Sequence, residues 1–447
     1  MGRLDIRFVP TPKLELKKLW GQLKLDGQQY VLKRIGFMLP TLDINVQSGV
    51  MQALAHFWCP ETTTFVLGGK FELTPTLEEY SIAIGKSIEL DIVEPPIRVD
   101  PVVALAEFLS LTKKEIEKVL KGNCQACLIS FLIECFENSS IRMRSRIFIL
   151  AFFGFIIFPF RQNAIDPVIA WTVKQICGGV SFINTILAET FISLTRFKKE
   201  KYRTFRAPIE LLQIWLFSHL SQFEDNMTVF EMGMTDNPIL RFKQIQDQTK
   251  SLHYTQWVHL FKDPNSKIFL WQAVWFREVE ARLCHGDQKP VPLMGIYGAT
   301  SYQPLRVTRQ FRVLQDVPPP LGPNEFQVQF EKGECYRAEL RHHFEAWQKC
   351  STQKLIWPAD EPTGRMKSHF AMARYIQYHT ILAKILPKIP VVTARHTRQT
   401  QIKISEEKAM KAQEKADVLA EENARLRRAL KAHSSIDHVA SKKRKTI

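Results

Sequence analysis

Apolar residues recur at helical spacing through much of the first 260 residues. Ile183, Ile186, Leu187 and Phe191, with Thr190 among them, are spaced three and four apart. That spacing lines one face of a helix and predicts an element over 181–195. The same reading predicts helices at 101–121, 123–137, 143–158, 166–176 and 208–222. These stripes are read as core-facing surfaces. Thr112 with Glu115 offers a capping box inside the first span, where a break is expected.

The segment from Thr63 to Gly85 reads differently. Thr63–Leu67 and Lys70–Leu73 are β-prone runs on either side of Gly68-Gly69, the pattern of a hairpin. Thr76 with Glu79 then fits a capping box for a helix starting at Leu77. Gly85 is placed to take the left-handed conformation that ends it.

From about 225 to 335 the pattern weakens, broken by Pro264, Pro290, Pro292, Pro304 and Pro318-Pro319-Pro320. Pro292–Gly298 reads as an apolar turn or short strand. Helical pattern returns at 335–350 and 366–386. Residues 1–40 are mixed and basic, a leader able to pack on the body.

Past residue 400 the period changes. Ala409, Ala412, Ala416, Leu419, Asn423, Leu426 and Leu430 alternate in steps of three and four, which is a heptad. With Leu419 and Leu426 at d, Asn423 falls at a, a placement that favours a parallel two-stranded pair. Glu422 then falls at g and Arg427 at e, a charge pair of the orienting kind. The pattern specifies a partner helix, either a second copy or another chain.

The expected fold is therefore mainly α. It has a large helical globular domain, a small β-hairpin near 63–73 and a C-terminal coiled-coil helix. The segments are a leader (1–40), a body (41–350), a helical connector (351–400), the coiled coil (401–433) and a basic disordered tail (434–447).

Composition supports a packed body: 45% of the 447 residues are hydrophobic, well above the range of disordered chains. The net charge of +16 points to acidic partners, whether nucleic acid, anionic lipid or acidic protein tails. Eight cysteines in a chain this long form no disulfide framework and read as reduced thiols of an intracellular protein. Met1–Ile6 lacks the apolar core of a signal peptide. The most apolar run, Ile147–Phe160, is short of the about 20 residues a membrane span needs. A buried core helix is expected there and no integral span. Arg142, Arg144 and Arg146 beside it leave peripheral membrane association as a minor alternative.

Two basic runs stand out. Lys442, Lys443, Arg444 and Lys445 suit the acidic groove of a nuclear import receptor. Arg196, Lys198, Lys199, Lys201, Arg203 and Arg206 are interleaved with Phe197, Tyr202 and Phe205. Such a run can grip phosphates while its aromatics stack on bases. The simpler reading is a basic loop joining two core helices, its aromatics packed inward.

Catalytic motifs are absent from the sequence. It contains no Walker loop, dinucleotide glycine fingerprint, G-x-S-x-G elbow or H-E-x-x-H. Cys124 and Cys127 are a single C-x-x-C pair without the second pair a zinc site needs, and are read as two buried thiols on one helix. His342-His343 likewise has no matching ligand set. No metal or cofactor is expected.

A series of short stretches, in order, carries a resemblance. It opens with Met51–Trp58, Thr64-Phe65 and Leu73–Tyr80 and continues with Phe153–Pro159, Ile186–Phe191 and Leu211–Trp215. It closes with Val291–Ala299 and Tyr302–Gln310. Over roughly residues 40–350 the chain resembles the plant mobile domain family, whose members also carry the label "aminotransferase-like". The resemblance implies a mostly helical, transposon-derived nuclear protein of plants. It supplies no agreed catalytic residues, and no Schiff-base lysine or phosphate cup is marked here. The expected function is a non-enzymatic nuclear interaction protein. Its body would bind nucleic acid or a chromatin protein, and its tail would dimerise it. The alternative is a remnant transposase or nuclease using metal-bound carboxylates.

Overall fold

The computed structural model describes residues 6–354, apart from residues 70, 98, 123–124, 200–203, 221–236, 249–251, 265–268, 274, 277–279, 286–288, 312–327 and 331–336. The expected helix at 366–386, the heptad residues Ala412, Ala416, Leu419, Asn423, Leu426 and Leu430, and the import run Lys442–Lys445 lie outside the described residues. A separate unit of residues 356–361 and 387–447 lies wholly outside them.

The body is mostly helical. It opens with β1 (Arg7–Phe8), α1 (Lys13–Gln22), α2 (Leu25–Ile35), a 3₁₀ turn (Gly36–Asp43) and α3 (Ser48–His56). The strands β2 (Trp58–Cys59), β3 (Thr64–Leu67) and β4 (Phe71–Leu73) follow, then α4 (Leu77–Ile84), α5 (Pro101–Leu109) and α6 (Lys113–Gly122). Next come β5 (Cys127–Leu128), α7 (Ile129–Glu137), α8 (Ile141–Phe152), β6 (Ala164–Ile165), α9 (Ile169–Gly178) and α10 (Ile183–Lys199). The chain continues through β7 (Thr204–Phe205), α11 (Ile209–Ser218), α12 (Pro238–Ile245) and α13 (Tyr254–Lys262). Last are β8 (Glu280–His285), β9 (Val291–Met294), β10 (Gly298–Tyr302), a 3₁₀ turn (Pro304–Phe311), β11 (Val328–Gln329), α14 (Arg337–Gln348) and β12 (Cys350–Lys354).

The strands form small sheets around the helices. β2, β3 and β4 are antiparallel, as are β9, β10 and β11. β8 pairs with β12 and β5 with β6, both antiparallel, whereas β1 and β7 run parallel.

Local chemistry explains the boundaries. Gly68 (φ 56°) and Gly69 (φ 69°) take the left-handed backbone that the tight link between β3 and β4 requires, with Leu67 opposite Phe71. Thr76 and Glu79 form the reciprocal capping box, and Gly85 closes α4 in the left-handed conformation. The helical span 101–121 breaks at Ser110 (φ 58°), and Thr112 and Glu115 exchange hydrogen bonds at the start of α6. The helix predicted over 123–137 begins at Ile129 instead. Cys127 therefore sits on β5, opposite Ile165, and not on a helix. Cys124 lies outside the described residues.

The core is built on α8, α10 and α11. Residues Ile147–Phe158 are nearly all buried, and α8 widens into a π-helical turn over Phe153–Ile157. Among the described residues no helix is long and apolar enough to cross a membrane. The leader contributes to this core, with Leu16, Leu19, Val31 and Ile35 buried. The ring of Trp20 packs at 5.5 Å against Phe148 of α8, tilted by 50°.

Candidate functional site

The predicted basic run divides in two. Arg196, Lys198 and Lys199 form the last turn of α10, where cations complement the helix dipole. They are helical, not part of a loop. Phe197 and Phe205 are buried, the latter edge-on to Phe8 at 6.1 Å, so these two aromatics do pack inward. Lys198 donates through Nζ to the carbonyl of His56 (2.6 Å), and burial lowers its pKa. Lys201 and Arg203 lie outside the described residues.

Arg206 lies beyond β7. Its guanidinium stands 4.8 Å from the ring centre of Phe160, and that of Arg161 stands 4.7 Å from the same ring. Phe160 thus lies within cation–π range of two arginines. Arg161 is exposed and Phe160 half-buried. The sequence does not single out either, because they follow the apolar run of α8 and belong to no periodic pattern. The charges of Arg196 and Arg206 also reach Glu189 on α10. Arg161 and Arg206 therefore meet at Phe160, and Arg196 and Arg206 both act on the buried Glu189.

A groove of about 410 Å³ adjoins this region, with Pro159, Phe205 and Ala207 in its wall. Across it, Lys13 Nζ pairs with the buried Glu210 at 2.7 Å. Guanidinium groups beside a half-exposed ring can hold phosphates and stack a base.

The interior holds a second set of charged groups. Glu79 Oε2 accepts from Thr76 N (2.9 Å), Trp215 Nε1 (2.9 Å) and Gln310 Nε2 (3.2 Å). His219 Nε2 meets its Oε1 at 2.9 Å. Glu78, next to it, accepts from the backbone N–H of Arg282 (2.7 Å). Burial is the main cause that pushes the Glu78 carboxyl up to about 7; the Arg282 N–H opposes this and the neighbouring Glu79 adds to it. Glu189 Oε1 accepts from the N–H of Ile296 (2.5 Å) and of Tyr297 (3.0 Å), and burial raises its pKa as well. Arg306 grips Glu72 with both Nε (2.7 Å) and Nη2. These carboxylates hold elements together through the donors their oxygens accept from, although Glu78 Oε2 is buried without a hydrogen-bond partner. Among the described residues no three His, Cys, Asp or Glu side chains gather as a metal site.

A family model matches residues 16–361, most of the chain. The chain belongs to the family described as Domain of unknown function (DUF7745). The family span begins inside α1, so it takes in most of the segment read as a leader. No curated protein and no solved structure matches the chain.

Proposed function

We propose that this chain is a non-enzymatic nuclear protein of the plant mobile domain type, descended from a mobile element, whose helical body binds nucleic acid. The observation that carries this reading is the gathering of the guanidinium groups of Arg161 and Arg206 at the Phe160 ring, 4.7 and 4.8 Å from its centre. Arg196 and Lys199 extend the cationic region from the end of α10. Charge supplies affinity through the phosphates, and the planar guanidinium groups can stack on a base. The heptad tail would pair two copies and raise avidity for repeated targets. The Lys442–Lys445 run would serve nuclear import.

The test is binding of the full chain to duplex and single-stranded DNA across a salt series. Affinity is expected to fall steeply with salt. Arg161→Ala with Lys199→Ala should lower the salt slope by about two, one for each phosphate no longer neutralised. Both side chains are exposed, so the fold should survive. Absence of binding at low salt would overturn the nucleic-acid reading and favour a chromatin protein as the partner.

A further inference from the structure

A separate cavity of about 380 Å³ opens where three helices end. Lys33 and Arg34 come from the last turn of α2, Lys86 follows the end of α4, and Gly178 and Gly179 finish α9. Cations at helix C-termini are common, because the last carbonyls carry partial negative charge. Part of the charge here serves that purpose. Arg34 donates through Nε (3.4 Å) and Nη2 (3.3 Å) to the carbonyl of Cys177 in α9. Lys86 Nζ donates to the carbonyl of Lys33 in α2.

Those bonds do not exhaust the donors. Among the described residues, Arg34 Nη1 and the Lys33 ammonium make no hydrogen bond, and Lys86 uses one of its three protons. The three charges also crowd one another: burial lowers the Lys86 pKa most, and Arg34 and Lys33 add to it. Glu89 is the one carboxylate in the described lining, and its Oε1 is taken by the hydroxyl of Ser87. Three cations against one acid leave a formal excess of two, which the partial negative charge of the helix ends offsets in part, so the lining stays net positive and suits an anion. Space is available, since a Cβ added at Gly178 or Gly179 would meet nothing within 4 Å.

We infer that this cavity binds a phosphate group, with Arg34, Lys33 and Lys86 as its donors. The donors come from two elements, the last turn of α2 and the residue after Gly85, and line one cavity, so an oxyanion there can be met by more than one cation. The site shares no residue with the Phe160 surface and stands whether or not that surface binds nucleic acid. Its phosphate belongs either to a small molecule or to a nucleic-acid backbone.

The experiment is thermal unfolding of the full chain with inorganic phosphate, against chloride at matched ionic strength. A saturable rise in Tm is expected. Lys33→Glu, on an exposed side chain, should raise the phosphate concentration at half-effect by about tenfold. Gly178→Leu, which fills space at the lining, should do the same without altering charge. A rise no larger than chloride gives, or an unchanged midpoint in both variants, overturns the site. A short DNA duplex separates the sources. If Lys33→Glu weakens DNA and inorganic phosphate alike, the site takes a backbone phosphate. If DNA binding is unchanged while phosphate binding is lost, it takes a small phosphorylated molecule.

Discussion

His219 on the chain just past α11 and Glu79 in the first turn of α4 share a hydrogen bond of 2.9 Å in the interior of the body. The other ring nitrogen, Nδ1, stands 3.0 Å from the carbonyl oxygen of Leu270, which can only accept. Nδ1 therefore carries a hydrogen. Glu79 also closes the capping box of α4 and accepts from Trp215 and Gln310. One carboxylate thus joins three stretches of chain.

Removing that carboxylate should be severe. Glu79→Ala would leave Trp215 Nε1 and the N–H of Thr76 buried without an acceptor, would take one of the two partners of Gln310 Nε2, and would leave His219 Nε2 unpartnered. A loss of about 3–5 kcal/mol is expected, because several buried polar groups lose their partner at once, at about 1–3 kcal/mol each. Chemical denaturation of the variant measures it. A loss below about 1 kcal/mol would show that the network relaxes or hydrates at little cost.

Glu78 should make stability depend on pH. Burial holds its carboxyl near 7 in the folded chain, above its ordinary value of 4.5. The folded state therefore favours the protonated acid. Stability from this group is fully present below about 4.5 and is lost as pH rises through about 7. Its contribution is on the order of 3 kcal/mol. Glu78→Gln should flatten the fall in unfolding midpoint between pH 5 and pH 8. A wild type and variant with parallel pH profiles would show that Glu78 does not cause it.

Local signals are legible in the sequence, and long-range ones are not. The Thr76–Glu79 capping box, the Gly68-Gly69 link and the Gly85 stop depend on residues a few positions apart, where chemistry and backbone preference are sufficient. The second role of Glu79 depends on Trp215, 136 residues away, and Gln310, 231 away. No periodicity encodes those meetings. The cationic site divides the same way. Arg196, Lys198, Lys199 and Arg206 are visible as a run of charge. Phe160 and Arg161 join Arg206 only through the fold. A helix through Cys127 is the wrong expectation because its neighbours are apolar enough for helix or strand, and its pairing with Ile165 decides between them.

The hairpin of β9 and β10 is expected to depend on one amide of α10. Asn184 accepts from Met294 N through Oδ1 (2.6 Å) and donates through Nδ2 to the carbonyl of Pro292 (3.2 Å). It is buried, so no water replaces it readily. Asn184→Ala strands one N–H and one carbonyl, at about 1–3 kcal/mol each. Glu189, five residues on in the same helix, holds the turn at Ile296 and Tyr297. Asn184→Ala should therefore increase hydrogen exchange at Met294 more than at Tyr297. Equal increases at both would mean that the hairpin opens as one unit.

The proposed pairing through the tail rests on Leu419 and Leu426 at d with Asn423 between them at a. Leu430 follows at the next a position, but Ala409, Ala412 and Ala416 in the preceding core positions are small and contribute little burial. Pairing should therefore depend on concentration, with dimers dominating at high protein and monomers on dilution. Leu419→Lys with Leu426→Lys puts charges into the seam and should give monomers at every concentration in sedimentation. Asn423→Leu tests the other side of the argument. A buried Asn at a costs stability while fixing a two-stranded register. Its removal should tighten association and allow states larger than a dimer. An unchanged mass in the double lysine variant would sink the pairing, whatever the Asn423 variant does.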